Sequence, residues 1–191
     1  PPIPGVEMRI ADPAGNWLAD GEHGEVCVRG PSVMRGYWNL PDETAQSFFG
    51  DWFRTGDLGW RDADGCFYLV DRIKDLIISN GINVYPRIIE EVLARHAEVA
   101  EVAVVGEPHR IHGEIPIAYV TATSEQPLDT AALKTWCRKH LGSHEIPRRI
   151  EVVDALPKNA TGKVLKRELR RQGDAERGVD LRQSHPVTDS D

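Results

Sequence analysis

Residues Arg54 to Leu93, RTGDLGWRDADGCFYLVDRIKDLIISNGINVYPRIIEEVL, hold the reading that decides the fold. The stretch opens with an acid in a glycine-flanked turn, Thr55-Gly56-Asp57. A strand-like run, Cys66 to Val70, follows and ends in the charged tetrad Asp71, Arg72, Ile73, Lys74. Leu76 to Ser79 and Asn83 to Tyr85 then predict two short strands around Asn80-Gly81, because both central positions of that dipeptide tolerate positive φ and so favour a tight hairpin. A charged joint between a strand and an independent hairpin predicts a boundary between two bodies.

On the amino-terminal side the chain is rich in turns. Candidate strands at Val6 to Ile10, Glu25 to Arg29 and Cys66 to Val70 are separated by Gly, Pro and Asp clusters, the texture of a small β-barrel or distorted sheet. Pro41 to Phe49 predicts one short helix whose Asp42 and Glu43 suit its positive end. The aromatic residues Tyr37, Trp38, Trp52 and Trp60 are expected to pack this β unit rather than to stack bases.

On the carboxyl-terminal side the pattern becomes helix, strand, strand, helix, strand. Pro86 suits a first helical turn, and Ile88, Ile89, Val92 and Leu93 recur at helical period with Glu90 and Glu91 turned outward. Val99 to Val105 and Ile115 to Thr123 read as buried strands joined by a loop, 106–114. Asp129 to Leu141 reads as a helix with an acidic N-cap and a stop at Gly142, and Ile150 to Val153 as a third strand. The fold class predicted is α+β: a small β-barrel-like unit followed by a compact domain with a three-stranded sheet, helices and a separate β-hairpin. The expected divisions are 1–73, 74–171 and a tail, 172–191. That tail carries many acids and little to bury, which predicts disorder.

Composition narrows the function. The chain's 191 residues hold 30 acids against 23 Lys and Arg, a net charge of −7, which argues against a broad basic face for nucleic acid. No apolar run is long enough to span a membrane. Cys27, Cys66 and Cys137 are odd in number and scattered, which favours reduced thiols and a cytoplasmic setting. The opening Pro1-Pro2-Ile3-Pro4, without Met, reads as part of something longer.

Several tempting motifs fail on inspection. Asp62-Ala63-Asp64-Gly65 starts like a calcium loop, but its twelfth position is Ile73 where a Glu is needed. Cys137, His140 and His144, and likewise His109, His112 and Glu114, stop short of four zinc ligands, so no metal site is assigned. Ala160-Thr161-Gly162-Lys163 looks like the end of a phosphate loop, yet Pro157 stands at its first glycine and Val164 where a magnesium-binding hydroxyl is needed.

Three segments taken together carry more. RTGDL, then YLVDRIKDLIISNGINVYP, then PKNATGK at Pro157 to Lys163, resemble in order and spacing the C-terminal third of the acyl-CoA synthetases, within the adenylate-forming superfamily. The resemblance covers roughly residues 1 to 171. It implies an ATP-dependent acid:CoA ligase that makes an acyl-adenylate and then a thioester, with a fatty acid favoured and an aryl acid next. By the same resemblance Lys163 is the catalytic cation of adenylation, Asp57 and Arg72 contact the nucleotide, Lys74 is the hinge, and Gly81 lines the path of the CoA pantetheine arm. Relatives commonly carry a second glycine at Asn80 and a Glu at Ile88, so neither Glu90 nor Glu91 is given a site role. ATP, CoA and Mg2+ are the implied cofactors, the magnesium ligands being expected upstream. A carboxylic acid and the missing N-terminal domain are the implied partners, with no nucleic acid and no transmembrane segment; a homodimer is compatible with it. Alone, this portion is expected to be inactive. The rival readings are a carrier-protein-loading adenylation domain and, from another class, a non-catalytic nucleotide-binding or regulatory module.

Overall fold

The computed structural model describes residues 2–124 and 126–176, and these divide into two compact units, Pro1–Leu76 and Ile77–Asp191. The division falls three residues beyond the expected one. The expected tail from residue 172 is helical as far as Glu176, and the remainder of that expectation lies outside the described residues.

Unit 1 is one antiparallel sheet. Strands β1 (Glu7–Ala11), β2 (Gly24–Arg29), β4 (Trp52–Arg61) and the two-residue β3 (Phe48–Phe49) lie in the order β1-β2-β4-β3, and β5 (Phe67–Arg72) pairs with β4. Among the described residues no pairing joins the sheet's edges, so it is open rather than barrel-like. Helix α1 (Pro41–Gln46) occupies the predicted place but stops short of Phe48, which enters β3. The core is small: Ala11, Cys27 and Trp52, with Phe49 against them. Arg9 and Arg29 lie 4.9 and 4.7 Å from the Trp52 ring, cation–π contacts that extend a thin apolar centre with guanidinium planes. Trp60 stacks on Tyr68 at 4.5 Å, whereas Trp38, expected to pack, is 89% exposed.

Strand β4 is the main departure from the sequence reading, which placed a turn at Thr55-Gly56-Asp57. Its two glycines are strand irregularities. Gly56 has φ +70°, and a Cβ on Gly59 would lie 2.5 Å from the Tyr68 carbonyl oxygen, beside a register shift between Leu58 and Gly59. Glycine within a strand marks such bulges and close approaches. Asp62 in turn caps the following β-turn, accepting from the Cys66 amide at 2.8 Å and the Tyr68 hydroxyl at 2.9 Å.

Unit 2 is built around one long hairpin, β8 (Val99–His109) and β9 (Gly113–Ala122). The ladder continues from Gly106↔Pro116 to His109↔Gly113, so most of the expected 106–114 loop is strand. On the other side of β9 lie β10 (Arg149–Val152), parallel to it, and β6 (Ile77–Ser79), which carries β7 (Ile82–Val84). The short hairpin is thus joined to the sheet through Ser79↔Gly113, giving five strands rather than three plus a separate hairpin.

Helices cover both faces. Val104, Ala118 and Val120 pack with Ile89 and Leu93 of α2 (Pro86–Ala94) and with Leu133 and Cys137 of α3 (Thr130–His140). Ala103, Val105, Ile117 and Tyr119 face the other way, onto Leu156 and onto Leu169 of α4 (Lys166–Glu176). Strands buried on both faces read as continuous apolar runs, as β8 and β9 do. The Asp129 carboxylate caps α3 as predicted, accepting from the amides of Ala131 at 2.9 Å and Ala132 at 3.2 Å. No described helix is long and apolar enough to cross a membrane.

Candidate functional site

In unit 1 the structure brings Asp57 and Arg72 together. They face each other across β4 and β5, with Arg72 Nε 3.1 Å from Asp57 Oδ1. That approach is ionic in distance only. Nε is buried and, among the described residues, has no partner meeting hydrogen-bond geometry, while the same guanidinium donates to the Thr55 carbonyl at 3.1 Å. Arg72 therefore sits braced with donor capacity to spare. Both side chains remain partly open to solvent, at 39% and 35%.

What holds this pair is a residue the sequence reading left out. Glu25 is buried at 5%, and its carboxylate accepts from Arg54 Nε at 2.9 Å and from the Gly56 amide at 3.0 Å. Thr55 Oγ1 donates to the Val26 carbonyl at 2.8 Å and accepts from the Asp57 amide at 3.0 Å. The bulged backbone that carries Asp57 is thus pinned on both sides. A charge set among the apolar residues Val26, Cys27 and Val28 was the available signal, since buried carboxylates are rare unless paired. Beside it opens a groove of about 680 Å³ walled by Glu25, Tyr37, Arg54, Thr55, Gly56 and Arg72; Asp57 is not among its walls.

Lys74 lies in a single 3-10 turn, Ile73–Asp75, in which no residue is buried. The next residue but one, Leu76, ends unit 1.

In unit 2, Asn80 and Gly81 form the predicted hairpin tip, with φ of 53° and 76°. A Cβ on Gly81 would meet nothing within 4 Å, so its glycine is required by backbone conformation and not by crowding inside the unit. The Asn80 amide donates to the His112 carbonyl at 2.8 Å, which ties the tip to the β8–β9 turn.

Lys163 ends a tight turn organised by Asn159. One amide oxygen, Asn159 Oδ1, accepts from the Thr161 amide at 3.1 Å, the Thr161 hydroxyl at 2.8 Å and the Lys163 amide at 2.8 Å. Neighbouring cations are spent locally: Lys158 pairs with Glu101, and Lys166 with Glu90 at 2.7 Å. Lys163 is exposed and has no ion-pair partner among the described residues. Glu90, expected to face outward, turns inward instead: it also accepts from the Val104 amide at 2.7 Å, satisfying the outer edge of β8 where, among the described residues, no further strand pairs. It thereby joins α2, β8 and the start of α4.

The two loops of unit 2 sit at opposite ends of one ribbon. The Lys163 turn is fastened near Glu101 by Lys158, and the Gly81 tip near His112 and Gly113. From Glu101 to His109 the strand advances on the order of 26 Å at a rise of about 3.3 Å per residue.

Burial pushes the Cys27 and Cys137 thiols up to about 11, which leaves them protonated, and all three cysteines are free. Among the described residues no group of three His, Cys, Asp or Glu could hold a metal ion.

Known proteins resemble this chain over most of its length. Residues 88–163 match the AMP-binding enzyme C-terminal domain and residues 1–38 the AMP-binding enzyme family. The chain is 46% identical over 157 residues to the 2-succinylbenzoate–CoA ligase of Geobacillus kaustophilus, covering 82% of this chain and 32% of that protein. It is 44% identical over 169 residues to the long-chain-fatty-acid–CoA ligase of Salmonella typhimurium, covering 88% and 30%. The solved o-succinylbenzoate CoA synthetase of Bacillus subtilis, in complex with its acyl-adenylate intermediate, superposes with a TM-score of 0.82 at 38% identity, covering 88% of this chain and 34% of that one. The chain thus spans about a third of the length of these relatives.

Proposed function

Because the chain belongs to the AMP-binding enzyme family, we propose that it is the C-terminal third of an ATP-dependent acid:CoA ligase. In the first half-reaction a carboxylate oxygen attacks the α-phosphorus of ATP and pyrophosphate leaves. In the second, the CoA thiol sulfur attacks the acyl carbon and AMP leaves. The observation that carries this reading is the separation of the Lys163 turn and the Gly81 tip along one ribbon, since two chemistries sharing one centre need two different surfaces in turn.

In this reading unit 1 holds the nucleotide. The Asp57 carboxylate suits two ribose hydroxyls, and Arg72 supplies a rigid fork that is already half engaged. Lys163, with no ion-pair partner among the described residues, brings positive charge to the approaching carboxylate and α-phosphate; at about 4 Å and an effective dielectric near 20 one such contact is worth roughly 4 kcal/mol. The Gly81 tip, lacking a side chain, then admits the thiol. A turn with no buried residue suits Lys74 to a swivel, where a few dihedrals absorb the change. Magnesium is placed on no residue of this chain.

The acid is a fatty acid in the favoured reading. An aryl acid is the second, favoured by the 46% identity to a succinylbenzoate ligase. The test is a chimaera in which this chain follows the N-terminal two thirds of that relative. ATP- and acid-dependent pyrophosphate release followed by CoA thioester formation is the expected result. Transfer to a carrier protein but not to CoA, or neither half-reaction from a folded chimaera, would overturn the proposal.

A further inference from the structure

Two histidines meet at the turn between β8 and β9, and the hydrogen bonds of His112 fix its tautomer. His112 Nε2 lies 3.2 Å from an Arg148 guanidinium nitrogen, and arginine only donates, so Nε2 must carry a lone pair. The ring proton therefore sits on Nδ1, which donates to Asn80 Oδ1 at 2.7 Å. His109 stacks on this ring at 4.6 Å, and its own Nδ1 accepts from the amides of Ile111 and His112, both at 3.3 Å. With the Asn80 amide bonded to the His112 carbonyl, the hairpin tip is tied to His112 through both backbone and side chain.

We propose that neutral His112 is the positioning residue that sets the Asn80–Gly81 tip, and that a proton on Nε2 turns the Arg148 contact repulsive and carries the ring, with the tip attached, away from Arg148. The charges around it favour the neutral ring. Arg148 is held by Lys134, whose Nζ donates to its carbonyl at 2.8 Å, and both line with His144 the groove beside Asn80. Arg110 shares the turn, and the nearby acid in sequence, Glu114, accepts from the Ile78 amide at 3.0 Å. Partial burial first, then the His109 ring and Arg148, hold the His112 imidazole below its ordinary 6.5. The sign follows: as pH falls below 6.5 the unfolded chain takes up a proton that the folded one refuses, so the stability of this turn, complete above 6.5, is lost as pH falls through the lowered value.

The effect on the reaction rests on the ligase reading; the coupling of ring to tip does not, and the experiment separates them. In this chain, NMR titration from pH 8 to 5 should show the Asn80 and Gly81 amides moving with the His112 ring at one midpoint below 6.5. His112→Gln should abolish that movement, and Arg148→Met should shift the midpoint upward. Tip amides that stay still, that keep titrating in His112→Gln, or that ignore Arg148→Met overturn the proposal. In the chimaera, the CoA step should lose about tenfold per pH unit below the midpoint as the neutral ring disappears, an acid limb missing from His112→Gln and from adenylation. An identical acid limb in both proteins would overturn the role in catalysis, whatever the NMR shows; a chimaera inactive in both steps fails the ligase reading instead.

Discussion

Lys163→Ala in the chimaera should lower adenylation by on the order of a hundredfold or more, about 2.7 kcal/mol or above, while thioester formation from a supplied acyl-adenylate stays within a few-fold of normal. The asymmetry follows from the role proposed for Lys163. The turn's shape depends on Asn159 and on the Lys163 backbone amide, both untouched by the substitution, so only the cation is removed. Lys158→Ala is the control, because that ammonium is already paired with Glu101. Measuring pyrophosphate release and thioester formation separately checks the claim, and equal losses in both would remove Lys163 from its role.

Gly81→Leu should have the opposite profile: adenylation nearly intact and the CoA step reduced at least a hundredfold. The substitution has two consequences that must be separated. Any Cβ at φ +76° costs about 1–2 kcal/mol of hairpin stability, and a Leu adds bulk where the unit itself leaves open space. Gly81→Ala supplies the correction, since it bears the conformational cost with little bulk. If Ala and Leu impair the CoA step equally, conformation and not obstruction is responsible, and the tip does not line a thiol path.

Much of this was legible in the residues because local chemistry dictated it. Asn80-Gly81 demanded positive φ twice and received it, Pro86 opened a helix, and Asp129 capped one. The misses share a cause, which is that the deciding contact lay far along the chain. Strand β4 was read as a turn because Gly56 and Gly59 are poor strand formers, and only the close approach of Tyr68 explains why Gly59 is wanted there. Helix α4 showed no apolar stripe; among the described residues Leu169 is the side chain it adds to the core cluster, and its helical fate follows from the need to cover the second face of β8 and β9. Glu25 was only the first residue of a candidate strand, and Glu90 an outward-facing acid, until their partners, Gly56 and Arg54 for one and Val104 and Lys166 for the other, were placed. Asn159 was passed over between more conspicuous neighbours, although Asn accepting from amides a few residues on is the ordinary chemistry of a tight turn.

The account depends on two loops fixed relative to each other and presented in turn. Spin labels on Ala63→Cys, Ile82→Cys and Thr161→Cys, taken in pairs in a chimaera carrying Cys66→Ser, test this directly. The native Cys27 and Cys137 are buried, with thiols raised to about 11, and will not compete for label. Electron–electron distance measurements should give one unchanged 82–161 distance with ATP and with CoA plus a non-reactive adenylate, while the 63–161 distance shortens in the first state and the 63–82 distance in the second. An 82–161 distance that shifts between states, or 63–161 and 63–82 distances that do not, would contradict it.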